Sequence, residues 1–262
     1  MPLSPVDERI RLLAKQLKVP TFNNYREVAR QAGENAGIGE ILLQLMQNEY
    51  DQRQDNQNRR RLKQAGFPYT KTIEELDLRR YQGQLSEVFV NELASCEFIR
   101  ERRNIIMLGN PGRGKTHLAI GLGLKACALG MTVLFRNAAS LSTELREARD
   151  NYSLGKLEKK IQRADLLILD EMGYVSFDRY QSDLLFKVIA NRSERGSIIV
   201  TTNLPFSEWP SLFENTAMVA AMVDRLTFKS HILDMNGDCY LERGGGRRHL
   251  VSAGRLFDNR IC

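Results

Sequence analysis

The 262-residue chain is poor in the residues that build extracellular or metal-stapled folds. It has four cysteines (Cys96, Cys127, Cys239 and Cys262), far apart and without CxxC or Cys/His ligand spacing. That pattern argues against a disulfide framework or a structural zinc site and suits reduced thiols in the cytoplasm. No apolar run approaches the roughly 20 residues needed to span a bilayer, so no membrane partner is expected. "MPLSPVDERIRLL" lacks the uninterrupted apolar core of a secretory signal. A strong charge bias is also missing. Lys plus Arg number 38 against 32 Asp plus Glu, a net charge of +6, which permits a polyanionic partner without requiring one. Internal repeats are absent.

Apolar residues make up 42% of the sequence, enough for a substantial core. In "DERIRLLAKQLK" Ile10, Leu13, Ala14 and Leu17 share one helical face, and two shorter helical pieces broken by glycine turns follow. Ile38, Ile41, Leu42, Leu45, Met46 and Glu49 keep helical spacing into a block of amides and arginines (Arg59, Arg60, Arg61, Lys63). A small all-helical domain is therefore expected over residues 1–65. From Asn104 the pattern changes to strand–helix alternation. "NIIMLG", "MTVLFRNA", "ADLLILDE", "SIIVTTN" and "SHILDMNG" read as five strands with helical crossovers, the plan of a three-layer α/β domain over residues 66–245. Gly130 is placed to cap the first crossover helix, and Asp178 with Gln181 forms a capping box for a later one. Residues 246–262 show no periodicity and read as a loose tail.

"GNPGRGKT" satisfies G-x-x-x-x-G-K-[ST], between an apolar strand and a helix as phosphate binding requires. The loop of Gly109, Asn110, Pro111, Gly112, Arg113 and Gly114 would wrap the phosphates of ATP, its non-proline residues offering backbone N–H groups at the positive end of the new helix. Lys115 supplies a charge to the β- and γ-phosphates, and Thr116 a hydroxyl to Mg2+. His117, on the first turn of that helix, counts with the loop, where local packing or hydrogen bonding is favoured over catalysis. At the end of "LLILDE", Asp170 would hold Mg2+ and Glu171 would orient and deprotonate the attacking water. Asn203, ending the fourth strand, reads either as a contact to γ-phosphate and water or as a turn former before Leu-Pro. Thr201 and Thr202 read as strand residues.

In order and spacing these motifs resemble the AAA+ ATPases. "GNPGRGKTHLAIGLGLKACALG", "RLKQAGFPYTKTIEELDL" and "DEMGYVSFD" resemble, more narrowly, the IstB-like helper ATPases of insertion-sequence transposition, relatives of the DnaC helicase loaders. The resemblance implies an AAA+ P-loop fold with a five-stranded parallel sheet ordered 5-1-4-3-2 behind the helical domain. It makes Asn203 the sensor of the γ-phosphate and Arg225, in "MVDRLTF", the arginine finger offered to a neighbouring subunit; an ion pair with Asp224 is the competing reading. Arg192 and Arg195 are weaker finger candidates. Phe67, in the lead-in loop, would either close over adenine or pack into the core. A head-to-tail homo-oligomer follows, ring or helical filament, with ATP at each interface. Arg146, Arg149, Lys156, Lys159 and Lys160 would meet double-stranded DNA phosphates, Tyr152 packing against sugar, or else form a solvated face balanced by Glu144, Glu147, Asp150 and Glu158. No base-reading motif is present, so binding should tolerate sequence. The implied function is an ATP-dependent DNA-binding regulator that recruits or stimulates a transposase and disassembles on hydrolysis. A DnaC-like replicative helicase loader is the alternative, and a small-molecule P-loop kinase is disfavoured by the Asp-Glu pair.

Overall fold

The computed structural model describes residues 4–33, 35–81, 85–174, 176–213, 215–236 and 240–243. The chain divides into two compact units, Met1–Arg60 and Arg61–Cys262. The expected tail over 246–262 lies outside the described residues, as do Cys239 and Cys262.

The first unit is helical: α1 (Pro5–Leu17), a 3-10 turn at Pro20–Asn24, α2 (Tyr25–Ala32), and most of α3 (Ile38–Ala65). Ser4 and Asp7 form a capping box that starts α1. Of the expected α1 stripe, Ala14 is buried, whereas Leu13 and Leu17 stay exposed. On α3, Leu45 and Glu49 turn inward, and Ile38, Leu42 and Met46 outward. Glu49 is neutralised by Arg53 at 2.8 Å and accepts the Thr21 hydroxyl at 2.6 Å, which accounts for its burial.

The second unit continues with α4 (Glu87–Ala94), α5 (Glu97–Arg100), β1 (Asn104–Leu108), α6 (Lys115–Ala128), β2 (Val133–Asn137), α7 (Ala138–Asp150), α8 (Leu154–Arg163) and β3 (Leu166–Asp170). It is completed by α9 (Arg179–Arg192), β4 (Ser197–Thr202), α10 (Thr216–Thr227), β5 (Ser230–Asp234) and β6 (Tyr240–Arg243). Strand order is β2-β3-β4-β1-β5-β6. The first five are parallel in the order the resemblance implied, and β6 adds an antiparallel edge against β5. That sixth strand was not expected.

Successive strand side chains alternate between two cores, as a pleated strand buried on both faces must arrange them. Ile106, Leu167, Leu169, Ile198 and Val200 meet the layer of α7–α10. Ile105, Met107, Leu166, Ile168 and Ile199 meet α4, α5 and α6. Gly130 closes α6 with its N–H on the Cys127 carbonyl, and the Met131 N–H reaches Ala126. The Asp178–Gln181 capping box opens α9 as expected. Cys96 and Cys127 are free and buried, and burial pushes both thiols up to about 11, which leaves them unreactive at neutral pH.

Candidate nucleotide site

β1 ends where the order of crossovers reverses, between β4 and β5, the place where open α/β sheets bind ligands. Its chain leaves through Gly109–Gly114 into α6. A cleft of about 840 Å³ opens there, lined by Pro111–His117, Glu171, Thr201 and Thr202, and by Tyr69, Leu76 and Tyr81 of the lead-in. Gly114 holds φ +77°, and a Cβ on it would collide with the Tyr81 hydroxyl, so glycine is required on both counts. Tyr81 donates to the Arg113 carbonyl at 2.7 Å, and the Asn110 N–H is taken by Asn236 Oδ1 at 2.7 Å.

Lys115 is buried, its ammonium donating to the carbonyls of Gly109 and Asn110. Burial lowers its pKa, against the opposing charges of Asp170 and Glu171. The insertion of β4 between β1 and β3 brings the expected metal residues together: the Thr116 hydroxyl donates to Asp170 Oδ1 at 2.8 Å. Among the described residues no group of three or more His, Cys, Asp or Glu could hold a metal ion. One hydroxyl and one carboxylate, both hard oxygen donors, suit Mg2+, which takes few protein ligands and leaves its other positions to phosphate and water.

Glu171 follows Asp170 with φ +60°, its carboxylate accepting from Asn137 Nδ2 at 2.6 Å. Asn137 also caps α7 through Oδ1, which accepts from the Ala139 N–H at 3.0 Å. Asn203 stands beside Gly173, with a buried Oδ1 that has no hydrogen-bond partner among the described residues. His117 Nε2 donates to the Thr72 carbonyl at 2.7 Å, the local bond expected of it, and fastens the lead-in to α6. Tyr69 lies across the cleft, where burial first and the charges of Asp170 and Glu171 second raise its pKa.

Two readings left open by the sequence are decided away from the site. Phe67 is not in the cleft. Its ring fills a notch on α6 over Gly123, where a Cβ would lie 2.7 Å from Cζ, and meets Phe135 at 6.0 Å between centroids. The cleft is edged instead by Tyr69, Leu76 and Tyr81. Arg192 cannot serve as a finger: it is 1% exposed and donates to the carbonyls of Ile161, Ala164, Asp165 and Ser197, tying α8, β3 and β4 together. Desolvation lowers its pKa to about 10, still cationic at neutral pH. Arg195 lies in the exposed turn after α9.

Arg225 lies at the opposite end of the strands, where β1 begins, beside a cavity of about 320 Å³ shared with Arg102, Asn104, Glu194 and Lys229. Its guanidinium stacks over Phe186 at 5.2 Å and donates to the Ala221 carbonyl at 2.9 Å. It is thus remote from the phosphate loop of its own chain. The basic residues of α7 and α8 expected to meet DNA are all exposed: Arg146, Arg149, Lys156, Lys159 and Lys160. Arg149 stacks on Tyr180 at 4.5 Å, and Tyr152 stands 99% exposed at the turn between the helices. Two of the expected balancing acids are committed elsewhere, Glu144 to Arg136 at 2.9 Å and Glu158 to Lys187 at 2.8 Å. Sequence reasoning passed over Asn137, Tyr81 and the role of Thr201, whose hydroxyl touches both acidic residues.

The fold is similar to that of AMPPCP-bound DnaA from Aquifex aeolicus, with a TM-score of 0.56 at 17% identity over 66% of this chain and 52% of that one. A Geobacillus stearothermophilus protein described as the insertion sequence IS5376 putative ATP-binding protein is 36% identical over 238 residues, 89% of this chain and 93% of its own. The insertion sequence IS21 putative ATP-binding protein of Pseudomonas aeruginosa is 34% identical over 233 residues, 88% of both chains. Residues 12–246 match the family described as IstB-like ATP binding protein. The chain belongs to that family of ATP-binding proteins.

Proposed function

We propose that this ATPase assembles on duplex DNA in its ATP-bound state, recruits or stimulates the transposase of an insertion sequence, and comes apart after hydrolysis in the cytoplasm. The observation that carries the chemistry is the meeting of Thr116 and Asp170 at 2.8 Å beside the Gly109–Gly114 loop. Loop N–H groups and Lys115 receive the phosphates, and binding must draw the ammonium away from the Gly109 and Asn110 carbonyls. Thr116 and Asp170 would hold Mg2+, which screens phosphate charge and orients the γ-phosphoryl group. Glu171 orients and deprotonates water, and Asn203, just past the end of β4, keeps the γ-phosphate-sensing role that the resemblance implies.

Arg225 lies too far from its own loop to act in cis and suits completion of a neighbour's site, so nucleotide binding is linked to head-to-tail assembly. The exposed cations of α7 and α8 suit a sequence-tolerant phosphate contact. Residues 1–65 form the part offered to other partners. The insertion-sequence context of the relatives favours a transposase as client over a replicative helicase.

Lys115→Ala is expected to abolish ATP binding and ATP-dependent DNA association, measured by fluorescent-nucleotide titration and mobility shift. Glu171→Gln is expected to bind ATP, hydrolyse it poorly and prolong the DNA complex. ATP-dependent complexes from Lys115→Ala would overturn the phosphate-loop assignment, and wild-type turnover by Glu171→Gln would remove that residue from its role.

A further inference from the structure

Thr201 is a β-branched residue in the buried strand β4, only 1% exposed. Valine has the same shape and would pack there without a polar atom to desolvate, so packing alone does not account for the hydroxyl. Both of its hydrogen bonds go to the hydrolytic acids. Thr201 Oγ1 donates to Asp170 Oδ1 at 2.6 Å, the oxygen that also accepts from Thr116, and it accepts the Glu171 N–H at 2.9 Å.

The second bond bears on an unusual backbone. Glu171 has φ +60°, a left-handed conformation that a side chain makes costly and that persists only when its surroundings hold it. One restraint is Asn137 on the carboxylate, and the other is Thr201 on the main chain. The Met172 N–H on the Thr201 carbonyl at 2.8 Å anchors the next residue to the same strand position. A single hydroxyl thus sets the orientation of the carboxylate assigned to Mg2+ and the backbone that aims the carboxylate assigned to water.

We propose that Thr201 is a positioning residue for ATP hydrolysis: its hydroxyl couples Asp170 to Glu171 and fixes their separation. The proposal rests on the roles given above to those two acids. Loss of the hydroxyl leaves the phosphate-binding atoms of the loop and Lys115 untouched, so nucleotide affinity and turnover should separate.

The test compares Thr201→Val, Thr201→Ala and Thr201→Ser in the full chain. Thr201→Val is expected to lower kcat about 10- to 100-fold, with metal-free nucleotide affinity unchanged. Mn2+ binding in the presence of a non-hydrolysable ATP analogue, read by electron paramagnetic resonance, should weaken about 10-fold. Thr201→Ala should do the same, and Thr201→Ser should restore both. Wild-type kcat and Mn2+ affinity in a folded valine or alanine variant would overturn the proposal. So would failure of serine to rescue, or loss of metal-free nucleotide binding in step with turnover, since either marks a merely structural role. Glu171→Gln run alongside separates the two ideas: normal turnover there refutes the role of Glu171, while the Mn2+ measurement still decides whether Thr201 sets Asp170.

Discussion

The relocation of Phe67 makes a double-mutant cycle with Gly123 decisive. The Phe67 ring is half-buried, pairs with Phe135, and occupies the space a Cβ on Gly123 would need, 2.7 Å from Cζ and 2.8 Å from Cε1. Truncating a fully buried phenylalanine costs about 3–5 kcal/mol. Partial exposure reduces this, and we expect Phe67→Ala to lose roughly 2–3 kcal/mol, including the aromatic pair. Gly123→Ala gains about 1 kcal/mol of helix propensity but drives a methyl into the ring, an overpacking cost of about 1–3 kcal/mol. Its net effect should be destabilising by up to roughly 2 kcal/mol. With Phe67 already truncated, the nearest neighbour left to the added methyl is Ile168 Cδ1 at 3.0 Å, the end of a flexible side chain, so the double variant should be more stable than the sum of the singles by about 1–2 kcal/mol. Trp209, the sole tryptophan, is fully buried in the second unit, so its fluorescence during urea unfolding reports the relevant transition. Nucleotide affinity should survive in every variant that stays folded. Additive stabilities, with an affinity loss confined to Phe67→Ala, would refute the packing assignment and return the ring to adenine.

Arg192→Ala should destabilise the second unit by roughly 3–5 kcal/mol, because carbonyls of Ile161, Ala164 and Ser197 would be left without their buried donor; a variant as stable as wild type in the same urea experiment would contradict that role. Removing the charges of Lys156, Lys159 and Lys160 should weaken DNA binding alike for unrelated sequences. The slope of log K against log salt should flatten by about 0.9 for each phosphate no longer neutralised, and an unchanged slope would place DNA elsewhere.

The five parallel strands were legible because β1, β3 and β4 are short apolar runs between crossover helices, and burial on both faces demands that composition. β6 was missed because "YLER" is half charged, as an edge strand tolerates, and lacks a core signature. The phosphate loop and its acids were legible because their chemistry resides in contiguous residues at fixed spacing. Contacts between distant segments were not. The notch for Phe67 depends on a glycine 56 positions later in the chain, recognisable only once α6 and the lead-in are packed. Asn137 meets Glu171, and Thr201 meets Asp170, only because β2, β3 and β4 lie side by side. Arg192 looked like a surface cation at a helix end, since nothing local reveals the carbonyls from α8, β3 and β4 that converge on it.

The shared site is tested most directly by mixing two inactive proteins. Glu171→Gln binds ATP and keeps Arg225 but lacks the carboxylate assigned to water, and Arg225→Ala has the opposite defect. Random assembly at equal concentrations should create intact interfaces at about one position in four, restoring roughly a quarter of wild-type ATP hydrolysis on duplex DNA. Full activity of Arg225→Ala alone, or no recovery from a mixture that does co-assemble, would contradict an arginine acting across the boundary between copies.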